Sequence, residues 1–165
     1  MSEENNVKAK IYTSEKIHFN REDLDSNYYR ADLLFKGVDK RVPSYIGRVY
    51  LNNPGANYDT SENLEDGYVG YYTVFGHATC LGDEGHCEEL PETRFGEIAT
   101  PTKKGDYYIT ITDKLKHLAR DTEDFSVTVI ADLCKPPQLG DEQPDLENVI
   151  KIDKVAIELY DKELD

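Results

Sequence analysis

The stretch GYYTVFGHATCLGDEGHCEE, residues 70–89, carries two of the chain's four histidines and two of its three cysteines. His77, Cys80, His86 and Cys87 pair imidazole with thiolate, a donor set that suits copper or zinc. Asp83, Glu84, Glu88 and Glu89 would concentrate cations around them. His86 and Cys87 are adjacent, however, and in extended chain neighbouring side chains point apart. Three of the four donors are therefore the most that converge easily on one ion, and the spacing matches no zinc module. A Cys80–Cys87 disulfide, formed in an oxidising compartment, is the competing reading, and a pair of reduced thiols is the third. None of these readings requires a cofactor. The acidic turn LGDEGH echoes a calcium loop only in its glycines, since such a loop needs more oxygens at regular spacing.

Other reactive side chains lack partners in sequence. Ser44 and Ser126 have no flanking glycines of the nucleophile-elbow kind, and Cys134 precedes Lys135-Pro136-Pro137 with no histidine near it. His18 and His117 stand alone, the latter beside Lys114 and Arg120 on a short helical stretch. Carboxylates are so abundant that no pair of them marks glycosidase chemistry. The chain reads as a non-enzyme. Its most distinctive residue is tyrosine, with 12 copies. Tyr68, Tyr71, Tyr72 and Phe75, with Tyr45 and Tyr50 on a neighbouring strand, offer anchors for a protein or a carbohydrate. Alternating tyrosines on strands also serve as half-buried packing.

Charge narrows the partners. The 165 residues include 33 acids and 19 bases, a formal charge of −14. Such a field repels phosphate backbones and anionic bilayers, so nucleic acid and membrane are excluded as partners. No apolar run is long enough to span a bilayer, and MSEENNVKAK lacks the apolar core of a signal peptide. The expected location is the cytoplasm, or an exported state reached together with a partner.

The elements that must hold these residues are strands. VKAKIYT and EKIHF predict short edge strands. NYYRADLLF predicts a strand with Tyr29, Ala31, Leu33 and Phe35 on one face. YIGRVYL follows, with Gly47 marking a bulge or a close approach. NNPGANYDTSENLEDG reads as a long turn-rich connection. GYVGYYTVFG predicts a central strand, with Tyr68, Gly70, Tyr72 and Val74 alternating against Val69, Tyr71, Thr73 and Phe75. DYYITIT, FSVTVIAD and VIKIDKVAIELYD supply further strands, the last bent or split in two. One helix is expected within residues 112–120, capped by Thr112 or Asp113. The predicted fold is all-β, an antiparallel sandwich of about seven to nine strands with one short helix. Residues 1–6 read as a mobile polar tail and residues 7–165 as a single domain. The expected core is Leu33, Phe35, Val49, Val74, Ile109, Ile111, Val127, Val129 and Ile157.

Laid out this way, GRVYLNNPGAN, GYVGYYTVFGHATCLGDEGHC and ITDKLKHLARDTEDFSVTVIA resemble the cupredoxin-like β-sandwich domain that follows the dicopper domain in tyrosinases, plant polyphenol oxidases and molluscan haemocyanins. Gly70 to His77, Thr112 to Leu115 and Phe125 to Ile130 match that domain's order of motifs, over about residues 28–160. The resemblance implies an accessory domain standing alone, because the histidine-bearing helices of a dicopper centre are missing. Nor is a blue-copper site expected, since the only methionine is Met1. The implied function is a non-catalytic interaction module that docks on or shields a dicopper oxidase and assists copper loading. The alternative is a ligand-binding sandwich, for carbohydrate or another small molecule, using the tyrosine-rich face.

Overall fold

Apolar alternation over residues 30–38 needs a second layer to cover it, and two facing sheets provide one. The computed structural model describes residues 11–77, 103–134 and 148–161. Among them lie nine strands: β1 (Ile11–Thr13), β2 (Ile17–His18), β3 (Arg30–Val38), β4 (Tyr45–Leu51), β5 (Tyr68–Val74), β6 (Gly105–Thr110), β7 (Asp124–Phe125), β8 (Val127–Leu133) and β9 (Lys154–Tyr160). Every pairing is antiparallel. One sheet has the order β1-β8-β4-β5, the facing sheet β6-β3-β9, and β2-β7 forms a small ribbon. The all-β sandwich expected from the alternation is the observed architecture.

The core forms where alternation is strictest. Ala31, Leu33 and Phe35 of β3 face Val49 of β4, Val74 of β5 and Val127 and Val129 of β8, all fully buried. Ile111 and Ile157 complete the buried set, whereas Ile109 is half-buried because β6 is an edge strand. Tyr29, expected on the buried face, is instead exposed, since it precedes the first residue of β3. The last segment forms one strand, β9, with residues 150–153 leading into it outside the sheet.

Among the described residues there are two helices. The expected one is α2 (Thr112–Leu118), which buries Leu115. Its N-cap is Ile111 rather than Thr112 or Asp113. Thr112 is diverted: its Oγ1 accepts the Ala31 N–H at 3.0 Å and so ties the helix to β3. The other helix, α1 (Arg21–Asp25), was not anticipated. It is a single turn that buries Leu24, too short for any periodicity to show. Arg21 joins the two, its guanidinium donating to the Ala119 and Thr122 carbonyls and pairing with Glu123 at 3.0 Å. Those carbonyls follow the last turn of α2, where backbone acceptors lack partners.

Residues 52–67 are a packed loop rather than a slack connection. Arg48, only 8% exposed, reaches out from β4 and donates to the Tyr58 and Thr60 carbonyls, while Asp132 of β8 holds its guanidinium at 2.6 Å. The Tyr50 hydroxyl also donates to the Thr60 carbonyl, and the Tyr58 hydroxyl to that of Ala131. Ala56 thereby comes to rest on Tyr50 and Ile130, with Tyr68 packed alongside. This loop covers one part of the outer face of the four-stranded sheet.

Candidate interaction face

β5 decides which tyrosines meet solvent. Among the described strands it pairs with β4 alone, at the end of the sheet order and not in the central place expected. Its register slips once: Val49 lies opposite Gly70 but Tyr50 lies opposite Tyr68, which makes Val69 the extra residue of a β-bulge. Gly70 carries the bulge at φ 141°, and a Cβ there would stand 3.0 Å from Ile109 of the facing sheet. The slip breaks the strict alternation predicted from sequence. Val69 turns into the core, and Tyr68 joins the outer face with Tyr50.

The four residues proposed as interface anchors are thereby divided. Tyr71 on the outer face of β5 is 62% exposed, and Phe75, the residue just past the end of that strand, is 77% exposed. Tyr68 is half-buried, its ring 5.6 Å from that of Tyr50 and under the Lys114 ammonium at 5.5 Å. Tyr72 does not belong to the face at all. It is 4% exposed, packs 4.7 Å from Phe35 and 5.3 Å from Tyr107 by ring centroids, and shares a hydroxyl contact with buried Tyr45. Burial, then the neighbouring Tyr45, pushes the Tyr72 phenol far above its ordinary range.

Ile46, missed in sequence, joins the exposed pair. It lies opposite Thr73 on β4 and is 37% exposed. Its signal was present in YIGRVYL as the one apolar residue between buried Tyr45 and Gly47. Tyr71 and Phe75, with Ile46 opposite the intervening Thr73, make an exposed apolar stripe on the outer side of the β4–β5 pair. Asp132, opposite Ile46 on the other side, and Glu62, 3.9 Å from Arg48, place carboxylates beside it. Both carboxylates pair with Arg48, so the flank of this apolar stripe is a mixed-charge cluster.

The proposed metal set falls mostly elsewhere. His77 is half-buried just beyond β5, its N–H donating to the Lys40 carbonyl at 2.7 Å. Cys80, His86 and Cys87 lie outside the described residues. Among the described residues no three metal-binding side chains gather. Ser44 is structural: its Oγ accepts the Gly76 N–H at 2.9 Å and its carbonyl accepts the N–H of exposed Cys134. His18 pairs with Asp124 at 2.8 Å across β2 and β7, and His117 is exposed on α2. No described helix is long and apolar enough to cross a membrane.

No protein-family model matches the chain, nor does any curated protein. Solved structures do. The latent aurone synthase (polyphenol oxidase) from natural source superposes with a TM-score of 0.54 at 12% identity, over 95% of this chain and 26% of that one. The fold is shared with a polyphenol oxidase. The recombinantly expressed latent enzyme, co-crystallized with hexatungstotellurate(VI) and soaked in H2O2, gives 0.50 at 11% identity, over 94% and 25%. The chain thus spans about a quarter of the length of the oxidase chains it matches. At such identities the shared property is the fold, and it is shared with one of the families that the sequence motifs resemble.

Proposed function

We propose that the chain is a non-catalytic accessory module that docks on a dicopper oxidase of the tyrosinase type, shielding its entrance and assisting its copper loading. One observation carries the reading: nearly all of this fold superposes on a quarter of a polyphenol oxidase chain. Docking of this kind needs an apolar face, and Tyr71, Phe75 and Ile46 are exposed apolar side chains that the described residues offer for it. Large exposed aromatics on a rigid strand are favourable anchors, because few rotamers are lost when they are covered.

The test mixes the purified chain with a tyrosinase-type oxidase, in copper-free and copper-loaded forms. Co-elution, slower turnover of the loaded enzyme and faster copper uptake by the empty one are the expected results. No co-elution and no change in turnover would remove the reading.

A further inference from the structure

The outer face of the three-stranded sheet β6-β3-β9 carries a second group of aromatic and charged side chains, on the opposite layer from the Tyr71 stripe. Asp32 of β3 points to this outer side yet is only 3% exposed. Its carboxylate accepts Arg30 Nε at 2.8 Å, Arg30 Nη2 at 2.6 Å and the Thr110 hydroxyl of β6 at 2.9 Å. The guanidinium so fixed lies 5.4 Å from the ring centre of Tyr108 on β6 and 5.9 Å from that of Tyr160 on β9. Tyr160 in turn donates to Glu158 at 3.0 Å. Tyr108 stands 63% exposed at the margin of this group. A buried carboxylate is costly to place on a solvent-facing sheet, and such order is unusual where loose polar side chains suffice.

We propose that this group is a binding site for a neutral oligosaccharide, with Tyr108 as the stacking platform and Arg30 and Glu158 as partners for adjacent sugar hydroxyls. Charge selects the ligand class. Arg30 balances Asp32, and Lys36 lies 3.7 Å from Glu158, so the site attracts neither an anion nor a cation. What it offers is an exposed ring, guanidinium N–H donors beyond those engaged by Asp32 and the Tyr108 hydroxyl, and the lone pairs of Glu158 not taken by Tyr160. A pyranose presents the complement: a C–H face for the ring, and vicinal hydroxyls that both donate and accept. The groups sit on three paired strands and are already ordered by mutual hydrogen bonds, so little freedom is lost on binding.

The site is independent of the docking face and its test is separate. The isotopically labelled full chain is titrated with neutral gluco-, xylo-, manno- and chito-oligosaccharides, and with a sulfated oligosaccharide as the charged control. At least one neutral series should shift the Tyr108, Arg30 and Tyr160 signals saturably, and the sulfated one should not. Tyr108→Ala should weaken binding at least about fivefold, while Tyr108→Phe keeps the ring and stays within about twofold. Tyr71→Ala, on the other sheet, should change nothing. No saturable shift from any neutral series, binding that survives Tyr108→Ala, or tighter binding of the sulfated probe would each overturn the proposal. Tyr108 is exposed, so its variants should fold, and an unchanged amide spectrum outside β6 verifies that they do.

Discussion

The phenol oxygens of Tyr45 and Tyr72 meet 3.3 Å apart inside the sandwich, across the β4–β5 pair. The two hydroxyls hydrogen-bond to each other, and both residues are almost wholly buried. Replacing one by phenylalanine strands the remaining hydroxyl without water, whereas replacing both removes the pair cleanly. Tyr45→Phe or Tyr72→Phe alone should therefore cost about 1–3 kcal/mol, and the double variant less than the sum of the two. Urea unfolding of the four proteins measures this. Strict additivity would mean the hydroxyls do not interact.

Much of this arrangement was readable beforehand. β4 coincides with YIGRVYL, and the buried faces of β3 and β8 follow from plain alternation of apolar residues. Strand β5 was harder. A one-residue bulge inverts the faces of everything before it, and its only mark in GYVGYYTVFG is a glycine, which has several other uses. Tyr72 was assigned to the surface for a related reason. Tyrosine is equally at home on either side of a half-buried strand, and only the facing Phe35 and Tyr107 show that this one is enclosed. The site on β6-β3-β9 left no trace at all, because Arg30, Tyr108 and Tyr160 are far apart in sequence and meet only through sheet pairing.

Alkaline stability should report the same tyrosine pair. Burial pushes the Tyr45 phenol up to about 12, and the Tyr72 phenol is raised too. Unfolding returns both to an ordinary value of about 10. Above pH 10 the unfolded chain sheds protons that the folded chain keeps, so stability is full below that pH and falls as pH rises towards 12. Chemical denaturation at stepped pH, with phenolate absorbance followed alongside, should show the loss begin near pH 10. A stability unchanged from pH 9 to 12 would contradict the buried assignment.

Gly47 makes a sharp probe of side-chain packing on the inner face of the four-stranded sheet. A Cβ at this position would stand 2.9 Å from the Tyr72 ring and 3.1 Å from Val129. Gly47→Ala should then destabilise by about 1–3 kcal/mol through overpacking, even though alanine is ordinarily harmless in a strand. Val129→Ala, from the opposite side of the same contact, should cost about 1–4 kcal/mol through lost burial and a cavity. Thermal unfolding of both variants checks the pair, and a neutral Gly47→Ala would show that the ring can withdraw.

Removing Arg48 should release the loop over residues 52–67. Its guanidinium links Asp132 to two carbonyls of that loop, and truncation takes the Arg48 donor from the Tyr58 carbonyl and the Tyr50 hydroxyl and leaves the Thr60 carbonyl with the Tyr50 hydroxyl alone. Arg48→Ala should cost about 1–3 kcal/mol, chiefly from the lost charged donor, because Asp132 is 41% exposed and the ion pair itself is screened by solvent. Amide exchange should accelerate first in residues 56–62. Uniform acceleration along the whole chain would instead place the effect in global stability.

The central claim is that the Tyr71–Phe75 stripe docks on a dicopper oxidase, and a binding titration with matched variants tests it most directly. Surface plasmon resonance between the immobilised chain and a tyrosinase-type oxidase should show saturable binding. Tyr71→Ser with Phe75→Ser should weaken it at least about tenfold while leaving the fold intact, since both side chains are exposed. Tyr108→Ser, on the other sheet, should have no effect on this binding. An absence of binding, or binding of equal strength by the Tyr71/Phe75 double variant, would contradict the account.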